Sequence, residues 1–109
     1  MSTIDWSAIF VHPDGAVVHR KTKQYARQYL HKGYYAIDGN YGPVFVHRLV
    51  AAKYCGGRHK FGRQDMTVDH VDGNKLNNQA ENLRWVTRTE NRRLWREYQR
   101  EFRQEVAAS

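Results

Sequence analysis

The sequence predicts an α+β fold with an N-terminal β-hairpin region, a central helix, and a second hairpin followed by a long C-terminal helix. Three observations lead to this prediction. Short runs of β-branched and aromatic residues alternate with Gly, Pro and Asn ahead of Val46, as they do in hairpins. Apolar residues take a helical spacing from Val46 and again after Thr87. A chain of 109 residues suits one domain, so we expect residues 1–109 to fold as a unit.

The N-terminal part is predicted to contain two hairpins. Residues 4–12 are apolar enough for a strand, and a second strand over 16–20 follows a Pro-Asp-Gly turn. The stretch 21–33 has apolar residues at helical spacing among basic ones, which leaves a brief helix and a basic loop as alternatives. Residues 34–38 and 44–47 flank a turn rich in Gly, Asn and Pro, and they predict an antiparallel hairpin.

The middle of the chain is predicted to form a helix and then two strands. The segment VHRLVAAKY places apolar side chains on one helix face from Val46, and the Gly56-Gly57 pair ends it. A loop with basic and aromatic residues follows. Strands are predicted over 66–71 and over 83–87, and an Asn-rich loop joins them.

The last helix begins at a recognisable signal. Thr87 and Glu90 have the spacing of a capping box, in which two side chains satisfy the free backbone N–H groups of the first turn. The helix then carries an apolar stripe that predicts a core contact or a partner interface, and a homodimer through this helix stays open. The stripe consists of Leu94, Trp95, Tyr98, Phe102 and Val106.

Charge and composition limit the classes of function. Lys and Arg number 18 against 11 Asp and Glu, which gives a net charge of +7. This balance favours a polyanionic partner such as DNA, because each neutralised phosphate releases condensed counterions.

Cys55 is the only cysteine, so an intramolecular disulfide and a zinc site of CxxC pairs are excluded. With no secretory signal pattern and no apolar run of about 20 residues, we expect a cytoplasmic protein without a membrane span.

One short stretch, VDHVDGNKLNNQAENLRWVTRTEN, gathers the residues that predict chemistry. If the last helix folds back across the hairpin, Asp69 and Asn91 present oxygen atoms to one point. A carboxylate and an amide oxygen suit a hard cation such as Mg²⁺. A neutral His70 beside them can accept a proton from water. Metal, base and positive charge together are what phosphodiester hydrolysis requires.

The asparagines of this stretch have a second explanation. Asparagine is unfavourable in helices and strands because its amide competes for backbone hydrogen bonds. Several in one loop therefore also predict a loop held together by side-chain hydrogen bonds. We expect Asn77 and Asn78 to be turn formers and Asn82 to be a buried loop amide, and we expect His47, at the start of the central helix, to be structural.

This stretch resembles the HNH endonuclease motif, in the variant found in phage and intron-encoded homing-type nucleases. The resemblance covers residues 44–92, including the preceding VHRLVAAKY helix, with the motif core at about 66–95. Asn82 lies 12 positions after His70, and Asn91 lies 9 positions after Asn82, which is the spacing of that family. The third motif residue is Asn91 in place of histidine, so the site is of the H-N-N type.

The resemblance implies a ββα-metal (His-Me) nuclease motif with assigned roles. Asp69 and Asn91 would bind the metal, and His70 would be the general base. Asn82, the other catalytic-site residue, would brace the loop so that the His70 ring is held in register. Asparagine at the third position favours Mg²⁺ or Mn²⁺ over zinc or nickel.

The predicted function is metal-dependent hydrolysis of double-stranded DNA, by nicking or cutting, in a protein that is encoded by a phage and acts in the host cytoplasm. Phosphate contacts are expected from basic residues around the motif, with a solvated basic face as the alternative. These residues are Lys75, Arg84, Arg88, Arg92 and Arg93. Two other functions stay open: a DNA-binding module that no longer cuts, and a nuclease specific for branched DNA. The N-terminal third would either lie along the duplex or serve as scaffold.

Overall fold

The computed structural model of the chain describes residues 4–56 and 63–108, so residues 57–62 of the loop predicted over 56–65 lie outside the described residues. It has the mixed α+β architecture that the sequence predicts. The strands are β1 Ile9–Val11, β2 Val17–His19, β3 Tyr29–His31, β4 Tyr34–Gly39, β5 Gly42–Phe45, β6 Met66–His70 and β7 Leu83–Thr87. The helices are α1 Val46–Tyr54 and α2 Arg88–Ala108.

The first hairpin pairs β1 with β2 and confirms the two strands predicted around the Pro-Asp-Gly turn. Ile9 faces His19 and Val11 faces Val17 across the pair. Ile9 and Val11 are buried, whereas Phe10 between them is exposed, as the two-residue period of a strand requires. Gly15 closes the turn with a φ of +98°, a left-handed conformation that favours glycine.

The stretch 21–33 is neither a brief helix nor only a basic loop, because its last part forms β3. Strand β3 pairs with β4 through a tight turn in which Lys32 and Gly33 both have positive φ, at 54° and 85°. Two positive φ values in succession suit the two-residue turns that join antiparallel strands. The apolar residues that suggested helical spacing stay largely outside the core, since Tyr25 is 74% and Leu30 is 60% exposed.

The core forms where α1 packs against the strands. Strands β3, β4 and β5 make one antiparallel sheet, and α1 follows β5 directly. Val46, Leu49 and Val50 of α1 are completely buried, among side chains from β1, β2, β4, β5 and β6. This packing joins the N-terminal strands and the C-terminal hairpin through a single helix.

Polar contacts fix the end of α1 against the second hairpin. The indole N–H of Trp85 donates a hydrogen bond to the carbonyl of Ala51 over 3.2 Å. The Cys55 thiol lies 3.3 Å from the carbonyl oxygens of Ala80 and Leu83. Burial raises the pKa of this thiol, which keeps Cys55 protonated in its structural position.

The second hairpin and the last helix form in the predicted order. Strands β6 and β7 pair antiparallel from Met66 opposite Thr87 to His70 opposite Leu83, so β6 ends one residue before its predicted end. The Thr87 hydroxyl accepts a hydrogen bond from the Glu90 backbone N–H and contacts the Glu90 carboxylate, each over 3.1 Å, as a capping signal should. Within the ranges described, no helix has the length and apolarity needed to cross a bilayer.

The apolar stripe of α2 is only partly covered. Leu94 is half-buried and Trp95 is 47% exposed. The side chains of Tyr98, Phe102 and Val106, which complete the predicted stripe, lie outside the described residues.

Candidate nuclease site

Asp69, His70 and Asn91 line one cleft of about 230 Å³ between the second hairpin and the start of α2. Neighbouring strand residues normally face opposite sides, yet Asp69 and His70, the last two residues of β6, both line the cleft. The carbonyl of His70 accepts a hydrogen bond from the Gly73 N–H over 2.8 Å, so the chain turns there. The three residues singled out for metal binding and base catalysis therefore meet on one surface.

Other side chains complete the cleft. Lys75 contributes from the Asn-rich loop and Trp95 from α2. Tyr34, from β4, also lines it, and the Lys75 ammonium lies 5.3 Å from the centre of the Tyr34 ring. The sequence offered no catalytic candidate in the N-terminal third, and nothing in the local pattern around Tyr34 signals that it reaches this cleft.

Asp69 is paired with a basic residue of the same hairpin. Arg84 Nε donates a hydrogen bond to Oδ2 of Asp69 over 2.8 Å. The two residues are direct cross-strand neighbours. The Asp69 side chain is 17% exposed and the Arg84 side chain 48%. Of the five predicted phosphate contacts, Arg84 is therefore the one that already contacts the proposed metal-binding carboxylate.

The remaining predicted DNA contacts differ in whether the side chain is bound to another part of the chain. The Arg88 guanidinium donates a short hydrogen bond to the backbone carbonyl of Gln64, which ties the start of α2 to the loop before β6. Arg92 and Arg93 are exposed on the next turn of α2. Lys75 is exposed at the edge of the cleft. Arg92, Arg93 and Lys75 are thus exposed to solvent, and of these three Lys75 lines the cleft.

The His70 ring is held by an asparagine that the sequence suggested was only a turn former. Nε2 of His70 lies 2.9 Å from Oδ1 of Asn78, and both residues are buried. The Nδ1 atom makes no hydrogen bond with any group that the structure describes. No sequence signal separates Asn78 from the neighbouring Asn77, because only the path of the loop decides which amide faces the ring.

Asn82 acts on the loop itself. Its Oδ1 accepts a hydrogen bond from the Asp72 N–H over 3.0 Å, while its amide N–H₂ donates to Asp72 Oδ1 and to the Asn77 carbonyl over 3.0 and 2.9 Å. It touches Asp72 and Asn77 rather than the His70 ring. Any effect of Asn82 on His70 therefore passes through the loop backbone.

The carboxylate of Asp72 is the centre of this hydrogen-bonded loop. It also accepts from the Asn77 side chain over 2.9 Å and from the Asn74 N–H over 2.8 Å. These hydrogen bonds, with that of Asn77 the largest cause, lower the pKa of Asp72. The expectation that side-chain hydrogen bonds hold the Asn-rich loop together agrees with these contacts.

His47, which the sequence suggested was structural, lies directly behind the site. Its ring centre is 5.2 Å from that of His70 and 4.8 Å from that of Tyr34. It is 5% exposed, and its Nδ1 atom is buried without a hydrogen-bond partner among the described residues. Burial first, then the nearby His70 and Arg48, lower the pKa of His47 to about 3, so the ring is neutral at ordinary pH.

The donor atoms of the cleft suit a hard cation. Asp69 offers a carboxylate and Asn91 a neutral amide oxygen, and both are the kind of ligand that Mg²⁺ and Mn²⁺ prefer. The part of the chain that the structure describes has no group of three or more His, Cys, Asp and Glu residues placed to hold a metal. A cation held by Asp69 and Asn91 would thus complete its coordination with water or substrate oxygens.

A β-hairpin followed by a helix, with an acid, an imidazole and an amide on the cleft between them, defines the ββα-metal class of fold. Residues 44–93 match the family described as HNH endonuclease. The DNA endonuclease I-HmuI of Bacillus phage SP01 is 49% identical over 59 residues, which are 50% of this chain and 32% of that protein. The SPbeta prophage-derived putative HNH homing endonuclease YosQ of Bacillus subtilis (strain 168) is 35% identical over 83 residues, covering 71% of this chain and 46% of that protein.

The fold agrees with these similarities. A solved structure of the HNH homing endonuclease I-HmuI, which concerns its DNA binding and cleavage, superimposes with a TM-score of 0.67 at 30% identity. The superposition covers 99% of this chain and 66% of that one. The chain belongs to the HNH endonuclease family. It spans between about a third and a half of the length of I-HmuI and YosQ.

Proposed function

We propose that this chain is a DNA endonuclease that hydrolyses phosphodiester bonds of double-stranded DNA with the help of Mg²⁺ or Mn²⁺. The observation that carries this proposal is the meeting of Asp69, His70 and Asn91 on one cleft. An acid and an amide that can hold a hard cation, next to an imidazole that can take a proton, are the groups that hydrolysis of a phosphodiester needs.

In the proposed reaction His70 is the general base. Its free Nδ1 takes a proton from a water molecule, whose oxygen bonds to phosphorus while the P–O bond to the leaving nucleotide breaks. The leaving oxygen takes up a proton from solvent, and His70 releases its extra proton to solvent, which restores the neutral imidazole. Asp69 and Asn91 would hold the cation, which supplies positive charge against the negative charge that develops on the phosphate.

The basic surface around the cleft supports a nucleic-acid substrate. Lys75 lines the cleft, and Arg92 and Arg93 are exposed on α2 directly after Asn91, so we expect these three residues to contact the phosphates of a bound duplex. I-HmuI, which binds and cleaves DNA, shares this fold, and that similarity supports DNA as the substrate.

We also propose which part of the chain carries the activity and in which compartment it acts. We assign the activity to a single domain over residues 1–109 with its motif core at about 66–95, and to the cytoplasm of a phage host, because two relatives are named for a phage and a prophage.

Exposed Trp95 on α2 supports a homodimer through that helix. Sedimentation of the wild type and of Trp95→Ala tests the dimer, which is refuted if the wild type sediments as a monomer at every concentration.

Incubation of the purified protein with supercoiled plasmid tests the central proposal. We expect nicked or linear plasmid with Mg²⁺ or Mn²⁺, no conversion with a chelator, and no conversion by His70→Ala. The matched control is His19→Ala, which removes an exposed histidine of β2 and should cut like the wild type. Plasmid that stays supercoiled at protein excess with both metals refutes the proposal. Tight duplex binding in that case would favour the DNA-binding module that does not cut.

A further inference from the structure

We propose that Asn78 is a positioning residue, which holds the His70 imidazole with its proton on Nε2 and its lone pair on Nδ1, facing the cleft. The catalytic part of this inference rests on the proposed function. The hydrogen bond between Asn78 and His70 is independent of it. Asn78 is not one of the motif residues that the sequence singled out, and it is not among the residues that line the cleft.

The chemistry of the hydrogen bond between Asn78 and His70 fixes which ring nitrogen carries the proton. Oδ1 of Asn78 lies 2.9 Å from Nε2 of His70, and an amide oxygen only accepts hydrogen bonds. Nε2 must therefore carry the hydrogen. A neutral imidazole has one N–H, so Nδ1 is left as the acceptor. A general base needs such a lone pair on the side where water and substrate approach.

The His70 ring is confined by its burial and by two neighbouring aromatic rings. His70 and Asn78 are 8% and 6% exposed, so water competes little for their hydrogen bond. The His47 and Tyr34 rings lie beside the imidazole, with centres at 5.2 and 6.0 Å. These rings restrict the plane of the imidazole but offer nothing that distinguishes Nδ1 from Nε2, since a ring turned by 180° packs almost equally well. The Asn78 hydrogen bond is what selects one orientation.

The N-terminal hairpin packs against Asn78 and its neighbours. A β-carbon added at Gly15 would stand 3.1 Å from the β-carbon of Asn78, so the turn between β1 and β2 lies directly against this residue. The Ala80 N–H donates to the Pro13 carbonyl over 2.7 Å, and the Gln28 side chain donates to the Gly15 carbonyl over 2.8 Å. The N-terminal third thereby supports the group that orients the proposed base.

The test compares three variants. Asn78→Leu has a similar volume but no acceptor, Asn78→Asp keeps an acceptor oxygen, and Gln79→Ala alters the exposed neighbour as the matched control. The first measurement is NMR of the ¹⁵N-labelled imidazole without DNA, at a pH of about 8, where an ordinary histidine is neutral. We expect an Nε2–H proton of His70 that exchanges slowly with water in the wild type, Asn78→Asp and Gln79→Ala, and its loss in Asn78→Leu.

The second measurement is plasmid cleavage. Because misplacing a reacting group weakens the chemical step, we expect Asn78→Leu to lower kcat roughly tenfold or more with KM for DNA unchanged, while Gln79→Ala cuts like the wild type. We expect Asn78→Asp to keep more activity than Asn78→Leu. A merely structural role for Asn78 would not separate kcat from KM in this way.

Two results would overturn the inference: a wild-type His70 with its proton on Nδ1, or an Asn78→Leu protein with an unchanged protected Nε2–H or an unchanged kcat. The wild-type NMR measurement decides the point even if Asn78→Leu does not fold. If the wild type cuts no DNA, the proposed function fails separately, and the NMR result still decides whether Asn78 holds the ring.

Discussion

Arg84 and Asp69 form a cross-strand ion pair at the edge of the cleft, with Nε of Arg84 2.8 Å from Oδ2 of Asp69. The two residues are direct partners in the pairing of β6 with β7. Asp69 is also the proposed cation ligand. A guanidinium and a divalent cation carry the same sign of charge, so they compete for this carboxylate.

Replacing Arg84 by Met is therefore expected to tighten the binding of Mn²⁺ in the absence of DNA, by several-fold in calorimetry. Fold stability should change little, because partly exposed ion pairs contribute at most about 1 kcal/mol. Arg27→Met is the control, since it removes the same charge from an exposed position without touching Asp69. Equal Mn²⁺ affinities for the two variants would show that the ion pair does not compete with the cation.

His47 makes stability dependent on pH. Its pKa is lowered from 6.5 to about 3 in the folded protein, so below pH 6.5 the unfolded chain takes up a proton that the folded one refuses. Stability is therefore full above about 6.5 and falls as the pH decreases toward 3, by about 1.4 kcal/mol per unit.

Urea unfolding of the wild type and of His47→Phe at pH 7 and pH 5 measures this effect. We expect the wild type to lose about 2 kcal/mol relative to His47→Phe between these two pH values. Phe keeps an aromatic ring at this position without the titrating nitrogen. A difference between the two proteins that stays constant with pH would contradict the assigned burial of a neutral His47.

Asn82→Ala should loosen the Asn-rich loop. The change removes three hydrogen bonds, to the Asp72 N–H, the Asp72 carboxylate and the Asn77 carbonyl, and leaves the Asp72 N–H without its acceptor. We expect a loss of about 1–3 kcal/mol in unfolding free energy, together with faster hydrogen exchange of the Asp72 amide. Asn74→Ala, which removes a single exposed hydrogen bond to Leu76, should cost less. Equal costs for the two variants would refute a bracing role for Asn82.

Arg92 and Arg93 are expected to contact phosphates. Each phosphate contact contributes roughly 0.9 to the slope of log affinity against log salt concentration, so Gln at both positions should lower that slope by roughly 1.8. Fluorescence anisotropy with a labelled duplex, in the His70→Ala background that leaves the DNA intact, measures the slope. Arg100→Gln, about two turns further along α2, is the control. If the double variant has the same slope as its His70→Ala parent, neither arginine contacts a phosphate.

The elements that local sequence determines are those whose signals lie within a few residues. Strand β7 matches its predicted range, and α1 begins at Val46 as predicted, because apolar spacing and the turn residues beside it belong to the segment itself. The start of α2 follows from Thr87 and Glu90 for the same reason. The resemblance to the HNH motif likewise selected Asp69, His70 and Asn91 as candidates from the sequence alone, and all three line one cleft.

The tertiary structure decided which residues meet across the fold. Strand β3 exists because β4 pairs with it, although its own residues suggested a helix or a loop. Asn78 rather than Asn77 or Asn82 reaches His70, and His47 and Tyr34 come from the other half of the chain to lie beside it. Spacing along a chain fixes which side chains share a face of one element, whereas contacts between elements depend on how α1 packs and where the loop returns. Sequence therefore indicated the proposed chemistry of this cleft, and packing alone determined which amide meets the His70 ring.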